Sequence, residues 1–340
     1  MTKIVSLSKL DKDFSILDEI CEEIKRDKTV VFPTETVYGL GANGLSENAV
    51  KKIYVAKGRP SDNPMILHVS KTSDIEKYSY ISYEKLELIE KFIPGPITFV
   101  LKKKNMIPDI VTAYRDTVAI RCPAHPIAKY LINQTGLPIA APSANLSGRP
   151  SPTLPEHVIE DMNGKVDYII TAGSLIFGIE STVIDLTERV PVLLRPGPIP
   201  PEMLKDVFGD IKIPDFIYGK KEADVAIAPG MKYRHYATKI PLILVELSDD
   251  ILERVLNVYY ENKNTIVLCD KKNYKFYLKN NASYDVLGSS KNYYEYAINL
   301  YEKLRKYENM FDNIIVEGIK DEGIGIAVMN RLRKAASSII

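Results

Sequence analysis

Three short stretches of the chain place cations directly beside apolar runs. Lys57 and Arg59 lie in YVAKGRPSDNP, Arg121 ends the run TVAIR, and Arg195 lies in VLLRPG. A guanidinium can bind a carboxylate or a phosphate through two hydrogen bonds, and an ammonium acts as a point charge. Each cation taken alone could equally be a solvated surface charge. Together they indicate one pocket for an anionic ligand, because open α/β sheets bind ligands at the ends of their strands.

The stretch APSANLSGRPSPT, residues 141–153, is rich in hydroxyl and amide side chains. They include Ser143, Asn145, Ser147 and Ser151. No histidine lies within the stretch and no GxSxG motif occurs, so the nucleophile elbow of a hydrolase is not supported. Such a loop suits an anionic or nucleotide ligand, and an ordinary Ser/Pro turn is the alternative. A P-loop motif is missing, so a nucleotide would be held by scattered side chains.

A glycine-rich stretch matches the dinucleotide-binding fingerprint only in form. GLGANG, residues 39–44, follows the polar run PTETVY, whereas the fingerprint follows an apolar strand and opens a helix. The acidic residue expected about 20 positions on would be Asp62, inside a loop between two prolines. We therefore interpret the glycines as a tight turn or a close backbone approach, beside the polar side chains of Thr34, Glu35 and Thr36.

The elements that position these stretches alternate between helical and extended patterns over residues 14–200. Residues 46–57 predict a helix, with Ser46 as its N-cap and Gly58 as its C-terminal stop. MILHV after Pro64 is typical of a strand. Similar β-branched runs recur along this part of the chain, so the sequence predicts an open α/β sheet that is not purely parallel.

Composition divides the chain into three parts. Residues 1–200 carry the mixed α/β pattern and all the polar stretches, which predicts one domain. Residues 201–238 are rich in Pro, Gly and charge and are predicted to be a linker, although KYRHY is unusual in a flexible one. Residues 239–340 alternate strand and helix patterns with short connections, which predicts a small parallel, Rossmann-like domain.

Charge and cysteine content argue against several classes of protein. The chain has 340 residues and a net charge of +1, so no global field would attract nucleic acid or a membrane. The three cysteines are far apart and form no CxxC pair, which indicates neither a disulfide framework nor a zinc site. No run of about 18 apolar residues occurs. We therefore expect a soluble cytoplasmic protein with no membrane partner.

Five motifs in this order resemble the threonylcarbamoyl-AMP synthase family, whose main domain is called YrdC-like. They are PTETVYGLG, KGRPSDNP, SANLSGRPSPT, ESTVIDL and LLRPG. APGMKYRHY, followed by a Rossmann-like pattern, is similar to the linker of the long, two-domain form, from which Ala228 and Thr238 depart. The resemblance implies an α/β fold in which an N-terminal YrdC-like, open, twisted mixed sheet with helices is linked to a small C-terminal Rossmann-like parallel domain.

The resemblance also implies an enzyme, a nucleotidyltransferase that uses L-threonine, bicarbonate and ATP. The expected products are L-threonylcarbamoyl-adenylate and pyrophosphate. Mg²⁺ is the expected cofactor, bound through the ATP phosphates and not by direct protein ligands. The product would pass to a downstream threonylcarbamoyl-transferase complex, which places threonylcarbamoyladenosine beside the anticodon of tRNA. Direct contact between this chain and tRNA is left open.

Particular residues of this sequence match the family's functional positions. Threonine is expected to bind Thr36, His68, Arg121, Ala141 and Ser181. ATP is expected to bind Lys57, Arg59, Asn63, Thr117, Ser143, Asn145, Ser151, Arg195 and Tyr233. Lys57 and Arg59 are the expected catalytic residues in domain 1–200. Within the segment 201–238, Tyr233, Arg234 and His235 are expected to reach over the active site as a lid that excludes water.

Two other functions fit some of the same features. A concave sheet lined with Lys and Arg could hold double-stranded RNA or tRNA without catalysis, and Lys102, Lys103 and Lys104 add a local basic run. A pure binder of this kind would release no pyrophosphate. A related carbamoyl-transferring, ATP-dependent enzyme would use the same type of domain, but the additional zinc-binding and acylphosphatase-like segments of such enzymes are not visible here.

Overall fold

The computed structural model describes residues 1–7, 13–219 and 236–340. The strands in these ranges are β1 (Lys3–Ser6), β2 (Val30–Phe32), β3 (Gly39–Asn43), β4 (Ile66–His68), β5 (Ser79–Tyr80), β6 (Ile97–Lys103), β7 (Thr117–Arg121), β8 (Ile139–Ala141), β9 (Tyr168–Thr171), β10 (Thr182–Asp185), β11 (Val192–Arg195), β12 (Leu242–Val245), β13 (Thr265–Asp270), β14 (Tyr284–Gly288), β15 (Asn313–Glu317) and β16 (Ser338–Ile339). The α-helices are α1 (Asp18–Lys25), α2 (Glu47–Lys57), α3 (Thr72–Tyr78), α4 (Tyr83–Glu90), α5 (Pro126–Thr135), α6 (Pro155–Met162), α7 (Pro201–Phe208), α8 (Ile251–Glu261), α9 (Tyr274–Lys279), α10 (Tyr293–Tyr307) and α11 (Gly325–Ala335).

The N-terminal part of the chain forms one large mixed sheet. Its strand order is β1-β9-β2-β3-β8-β4-β7-β6-β10-β11, and β5 pairs with β6 beside this path. The pair β4–β7 is parallel, whereas β3–β8, β4–β8 and β6–β7 are antiparallel. The predicted open α/β sheet that is not purely parallel is therefore confirmed. Because neighbouring strands run in both directions, one edge of the sheet presents both carboxyl and amino ends of strands.

Helix α2 brings the first predicted cation to the sheet. Ser46 caps its start, where Ser46 Oγ accepts a hydrogen bond from Ala49 N at 3.3 Å. Gly58 ends the helix in the left-handed conformation, with φ of 61°. Both ends agree with the prediction from the sequence. The helix therefore stops directly after Lys57, and the chain turns into the loop that leads to β4.

The glycine-rich stretch is a strand rather than a nucleotide-binding turn. Residues 39–43 form β3, which pairs antiparallel with β2 and is almost wholly buried. A Cβ at Gly41 would lie 2.5 Å from Ile139 Cγ2 and 2.6 Å from Phe32 Cε1. Glycine is thus needed here because neighbouring side chains occupy the space above the strand. This geometry excludes the dinucleotide fingerprint, which requires a strand-to-helix turn.

The C-terminal part of the chain forms a separate sheet in which every strand pair is parallel. The order is β14-β13-β15-β12-β16. The predicted parallel domain is therefore confirmed. The order differs from the usual Rossmann arrangement, because β15 lies between β13 and the first strand of the sheet, β12.

The segment between the two sheets contains more regular structure than its composition indicates. Inside the range 201–238, which we predicted to be a linker, α7 covers residues 201–208 and buries Leu204. A short 3₁₀ turn follows at residues 215–218. The sequence pattern did not predict this helix, because an eight-residue helix needs only one or two apolar residues to reach the core and these form no clear period.

The cores of the two sheets meet. Val37 and Ile179, from the N-terminal part, belong to the same buried cluster as Leu300 and Leu332 of α10 and α11. In the ranges that the structure describes, no helix is long and apolar enough to cross a membrane.

Candidate active site

One cleft collects most of the residues that the sequence singled out. It encloses about 710 Å³ of space, including the part open to solvent, which suits a small-molecule ligand. The lining residues are Thr34, Thr36, Val37, Gly39, Lys57, Arg59, Ile66, His68, Arg121, Ala141, Pro142, Ser143, Asn145, Ser147, Gly148, Arg149, Ser151, Glu180, Ser181, Arg195 and Tyr236. Four cations from three separate stretches of the chain thus meet in one cavity, which is the arrangement that the sequence predicted.

Lys57 links the end of α2 to the polar loop after β8. Its side chain is buried, and Nζ donates to the carbonyl oxygen of Ser143 at 2.6 Å and to that of Asn145. Burial, followed by the nearby Arg59, lowers the pKa of Lys57 well below its usual value. The amino group of Lys57 is therefore a desolvated donor whose charged form is disfavoured in the empty cleft and would be favoured by an anion that enters it.

Arg59 shapes the proline-bracketed loop that follows α2. Its Nε donates to the Asn63 carbonyl at 3.3 Å, and NH2 donates to the Pro64 carbonyl at 2.9 Å. Burial, opposed by Tyr54, lowers the pKa of Arg59 to about 10. Arg59 therefore holds its own loop in shape and still brings a positive charge to the cleft.

The polar loop after β8 is held by its own side chains. Ser143 Oγ donates to Asn145 Oδ1, and Asn145 Nδ2 donates to the carbonyl oxygens of Leu146 at 2.8 Å and Arg149 at 3.0 Å. Ser151 Oγ donates to Glu180 Oε1 at 2.5 Å. The loop is thus pre-organised, with hydroxyls and backbone groups fixed around one side of the cavity.

Arg195 and Ser181 lie together at the far side of the cleft. Arg195 Nε donates to the Ser181 carbonyl at 3.0 Å, and NH2 donates to Ser181 Oγ at 3.1 Å. Thr98 Oγ1 lies 2.8 Å from Ser181 Oγ, so this hydroxyl has two partners. The guanidinium comes from the carboxyl end of β11 and the serine from the loop before β10.

Arg121 forms a buried ion pair with a carboxylate that we had noted only as a neighbour of the glycine-rich stretch. NH2 lies 2.7 Å from Glu35 Oε1, and both side chains are buried. Burial alone would raise the pKa of Glu35, but Arg121 overcomes this effect and holds the pKa below its usual value. Arg121 Nε and Glu35 Oε2 are buried without a hydrogen-bond partner among the described residues.

His68 lies beside Arg121, because β4 and β7 are parallel and these two residues are paired in register. Nδ1 lies 3.2 Å from the Ile66 carbonyl and 3.3 Å from the Ile139 carbonyl. Burial, followed by Arg121, lowers the pKa of His68 to about 3. The imidazole is therefore neutral at physiological pH. Since both neighbours of Nδ1 only accept, Nδ1 carries the proton and Nε2 is a hydrogen-bond acceptor.

The predicted site residues fall into three groups. Those that line the cleft are Thr36, Lys57, Arg59, His68, Arg121, Ala141, Ser143, Asn145, Ser151, Ser181 and Arg195. Asn63 and Thr117 do not line it: Asn63 is buried within the loop that Arg59 holds, and Thr117 begins β7 at the end opposite Arg121. The predicted lid residues Tyr233, Arg234 and His235 lie outside the described residues.

Sequence reasoning missed several residues of the cleft. Glu180 is the most consequential, since it is a buried carboxylate among cations, and Tyr236 and Arg149 also line the cavity. The only signal for Glu180 was its place directly before Ser181 in ESTVIDL. In the described part of the chain, no three His, Cys, Asp or Glu side chains cluster in a way that could hold a metal ion.

Two family models match the chain. The model of Sua5, YciO and YrdC proteins, described as "Telomere recombination", matches residues 22–197. The model described as "Threonylcarbamoyl-AMP synthase, C-terminal domain" matches residues 199–337. The threonylcarbamoyl-AMP synthase of Pyrococcus abyssi is 48% identical over 320 residues, which are 92% of each chain. That of Bacillus subtilis is 44% identical over 318 residues, 92% of this chain and 90% of the relative.

A solved structure agrees over almost the whole molecule. Pyrococcus abyssi Sua5 in complex with L-threonine superposes with a TM-score of 0.90 at 44% identity, over 99% of each chain. The mixed sheet, the parallel second sheet and the cation-lined cleft define a YrdC-like α/β enzyme of the long, two-domain form. The chain belongs to the threonylcarbamoyl-AMP synthase family, as its five motifs predicted.

Proposed function

We propose that this protein condenses L-threonine, bicarbonate and ATP to threonylcarbamoyl-AMP and pyrophosphate. The observation that carries the proposal is the convergence of Lys57, Arg59, Arg121 and Arg195 on one cleft. Such a cleft matches the charges of the substrates, because it can bind an amino-acid carboxylate at one end and a triphosphate at the other. The reaction transfers an adenylyl group, so the enzyme class is nucleotidyltransferase.

We assign the threonine end to the part of the cleft around His68 and Arg121. The guanidinium, oriented by Glu35, can donate to the threonine carboxylate. The neutral His68 offers Nε2 as an acceptor for the threonine amine or hydroxyl. The small polar or short side chains that complete this end are Thr36, Ala141 and Ser181.

We assign the nucleotide end to Lys57, Arg59 and Arg195 together with the loop that carries Ser143, Asn145 and Ser151. Three cations in a largely desolvated cleft can offset the charge of a triphosphate and of the leaving pyrophosphate. Direct contacts of Asn63 and Thr117 with ATP stay predictions. In this structure Asn63 contributes through its carbonyl, which holds Arg59.

Mg²⁺ fits this arrangement as an ion held by the ATP phosphates. Glu180 is a carboxylate in the cleft, but it is already hydrogen-bonded to Ser151 and ion-paired with Arg331, so it is not a ready metal ligand. When bound, Mg²⁺ neutralises phosphate charge and stabilises the leaving group. The cations of the chain would share this task.

The chemistry follows from charge and proximity. The threonine amine attacks bicarbonate or CO₂ as the free base, forming a carbamate, and water or a proton leaves. A carbamate oxygen then attacks the α-phosphorus of ATP, and the bond to the β-phosphate oxygen breaks, releasing pyrophosphate. Lys57, Arg59 and Arg195 stabilise the charge that develops on the phosphoryl oxygens, while the pre-organised loop supplies position.

The product is a mixed anhydride, which water hydrolyses, so the enzyme that uses it must bind it before it is hydrolysed. We propose that it passes to the downstream threonylcarbamoyl-transferase complex that modifies tRNA, in the cytoplasm. We also propose the division of labour that the sequence predicted, with residues 1–200 as the catalytic domain, 201–238 as the connecting segment and 239–340 as the second domain.

The test is to detect the adenylate by mass spectrometry while omitting threonine, bicarbonate or ATP in turn. We expect a species containing threonine, one carbon from labelled bicarbonate and AMP only when all three are present. Pyrophosphate should be released in equal amount. Absence of both products would overturn the proposal and leave a binding function, for example toward RNA.

A further inference from the structure

Glu180 is a buried carboxylate that joins the nucleotide loop to the C-terminal domain. It directly precedes Ser181 and lines the cleft with 6% of its surface exposed. Its Oε1 accepts the hydrogen bond from Ser151 Oγ at 2.5 Å. The orientation of this predicted nucleotide ligand therefore depends on what holds Glu180.

Two side chains of the C-terminal domain hold Glu180. Arg331 on α11 is fully buried, and its Nε and NH2 each donate to Glu180 Oε2 at 3.2 Å. The Tyr301 hydroxyl on α10 lies 3.2 Å from Oε1 and 3.1 Å from Oε2. The carboxylate thus accepts two hydrogen bonds from α11 and contacts a hydroxyl of α10, although it lies in the loop before β10 of the N-terminal sheet.

Arg331 also reaches the turn that carries Arg195. Its NH1 donates to the carbonyl oxygen of Pro196, the residue after Arg195. The turn is tight, since a Cβ at Gly197 would lie 2.3 Å from Thr182 N. One guanidinium therefore fixes both the carboxylate and the backbone beside a phosphate-binding cation.

Glu180, Arg331 and Arg195 form a buried group of one negative and two positive charges. Burial would raise the pKa of Glu180, but Arg331 and then Arg195 overcome this effect and hold the pKa below its usual value. The three groups carry a net charge of +1 together. If Arg331 were neutral, Glu180 would have only Arg195 as a nearby partner among these groups, and it would neutralise the cation that a triphosphate needs.

Helix α10 holds the same loop from a second side. Arg305 donates from Nε at 3.1 Å and from NH2 at 2.7 Å to the carbonyl oxygen of Pro150, next to Ser151. Glu308 pairs with Arg149 and accepts from the backbone N of Lys239 at 2.9 Å. The C-terminal domain therefore contacts Arg149 and Pro150 directly, and it reaches Ser151 through Glu180.

We propose that Arg331 and Tyr301 are positioning residues for the nucleotide, which act through Glu180 and are supplied by the C-terminal domain. This inference rests on the proposed function, because it takes Ser151 and Arg195 as ATP ligands. Arg331 neutralises Glu180, leaves the charge of Arg195 for the phosphates and aims the Ser151 hydroxyl. The C-terminal domain is in this way a part of the active site, and it is specific for the nucleotide end.

The test compares Arg331→Met with Arg333→Met in the full-length chain. Arg333 lies on the same helix and is also buried, but its ion pairs are with Glu246 and Asp321 of the C-terminal domain. It also donates to the Tyr218 carbonyl, and Tyr218 does not line the cleft. Arg331→Met should raise the KM for ATP about tenfold or more and change the KM for threonine less than twofold. Arg333→Met should lower the melting temperature and leave both KM values within twofold.

A second pair of variants separates charge from mere packing. Adding Glu180→Gln to Arg331→Met should reverse at least a third of the increase in the KM for ATP. The reason is that the charge of Arg195 is then no longer neutralised by Glu180. Tyr301→Phe, which removes one hydroxyl from a buried ring, should raise the KM for ATP about threefold and is the variant least prone to misfold.

The inference would be overturned if the KM for ATP were unchanged in Arg331→Met and in Tyr301→Phe. It would also be overturned if the KM for ATP and the KM for threonine rose equally, or if Glu180→Gln did not reverse the increase in the KM for ATP. These outcomes differ from failure of the proposed function, which would appear as wild-type protein that makes no adenylate.

Discussion

Arg121 and Glu35 form an ion pair of 2.7 Å in which both side chains are buried. They come from different parts of the sheet, since Glu35 lies in the connection between β2 and β3 and Arg121 ends β7. The pair occupies one edge of the guanidinium, and no hydrogen bond from NH1 occurs among the described residues. The carboxylate of Glu35 thus orients Arg121, and under the proposed function a second carboxylate, that of threonine, would bind the rest of the guanidinium.

Replacing Arg121 should weaken the binding of threonine much more than the binding of ATP. A charge-assisted hydrogen bond to a carboxylate contributes roughly 1.5–3 kcal/mol, so Arg121→Ala should raise the KM for threonine about 10- to 100-fold. The KM for ATP should change less than about threefold. Steady-state kinetics with each substrate varied in turn measures both values, with the exposed Arg189→Ala as the control. Equal losses for the two substrates would contradict the assignment of the threonine end.

The stability that Glu35 contributes should depend on pH in a defined direction. Its pKa is lower in the folded protein than in the unfolded chain, so its contribution is present above the unfolded value of about 4.3 and disappears as the pH falls through the folded value. Glu35→Gln leaves Arg121 buried without a counter-ion and should cost about 3 kcal/mol at pH 7.

Urea unfolding of wild type and Glu35→Gln between pH 3 and pH 7 tests this prediction. The difference in free energy of unfolding should be constant down to about pH 5 and should then shrink. Glu22→Gln, which breaks an exposed pair with Lys25, should cost less than about 1 kcal/mol. A difference for Glu35→Gln that stays constant to pH 3 would show that the effect is not electrostatic.

Lys57 should be required for turnover rather than for stability of the helix that carries it. Its buried ammonium holds the carbonyl oxygens of Ser143 and Asn145 and faces the nucleotide end. Lys57→Met should lower kcat/KM for ATP about 10²- to 10³-fold, as expected for loss of a preorganised donor. Lys51→Met on the exposed face of the same helix, where it pairs with Glu47 at 2.7 Å, should stay within twofold of wild type. Comparable activity of the two variants would be incompatible with this role.

His68 should stay neutral through the physiological range. Burial, followed by Arg121, lowers its pKa to about 3, so its ring signals in NMR spectra should not titrate between pH 5 and pH 8. The unfolded chain binds a proton near pH 6.5, so this residue lowers the stability of the folded protein as the pH falls below that value. His68→Gln identifies the signals. An inflection near pH 6.5 would mean that a cation, not an acceptor, faces the substrate.

Local signals in the sequence determined the boundaries of individual elements. Ser46 and Gly58 marked the ends of α2, because caps depend on only a few adjacent residues. The alternation of strands and helices indicated a mixed sheet and then a parallel one. The glycines of GLGANG indicated a tight turn or a close backbone approach, and the structure has the close approach. The sequence did not indicate which side chains come close, because Phe32 lies on the neighbouring strand and Ile139 is distant in sequence.

By itself, the sequence determined the kinds of side chain available for chemistry and, through its motifs, the family and eleven of the residues that line the cleft. Only the tertiary structure decided how those groups are paired. Glu35 was visible as a carboxylate, but its partner is Arg121, 86 positions on. Glu180 is paired with Arg331, 151 positions on and in the other domain. The physical reason is that a buried charge must find a counter-charge in space, and spatial proximity across a mixed sheet and a domain interface leaves no local pattern in the sequence.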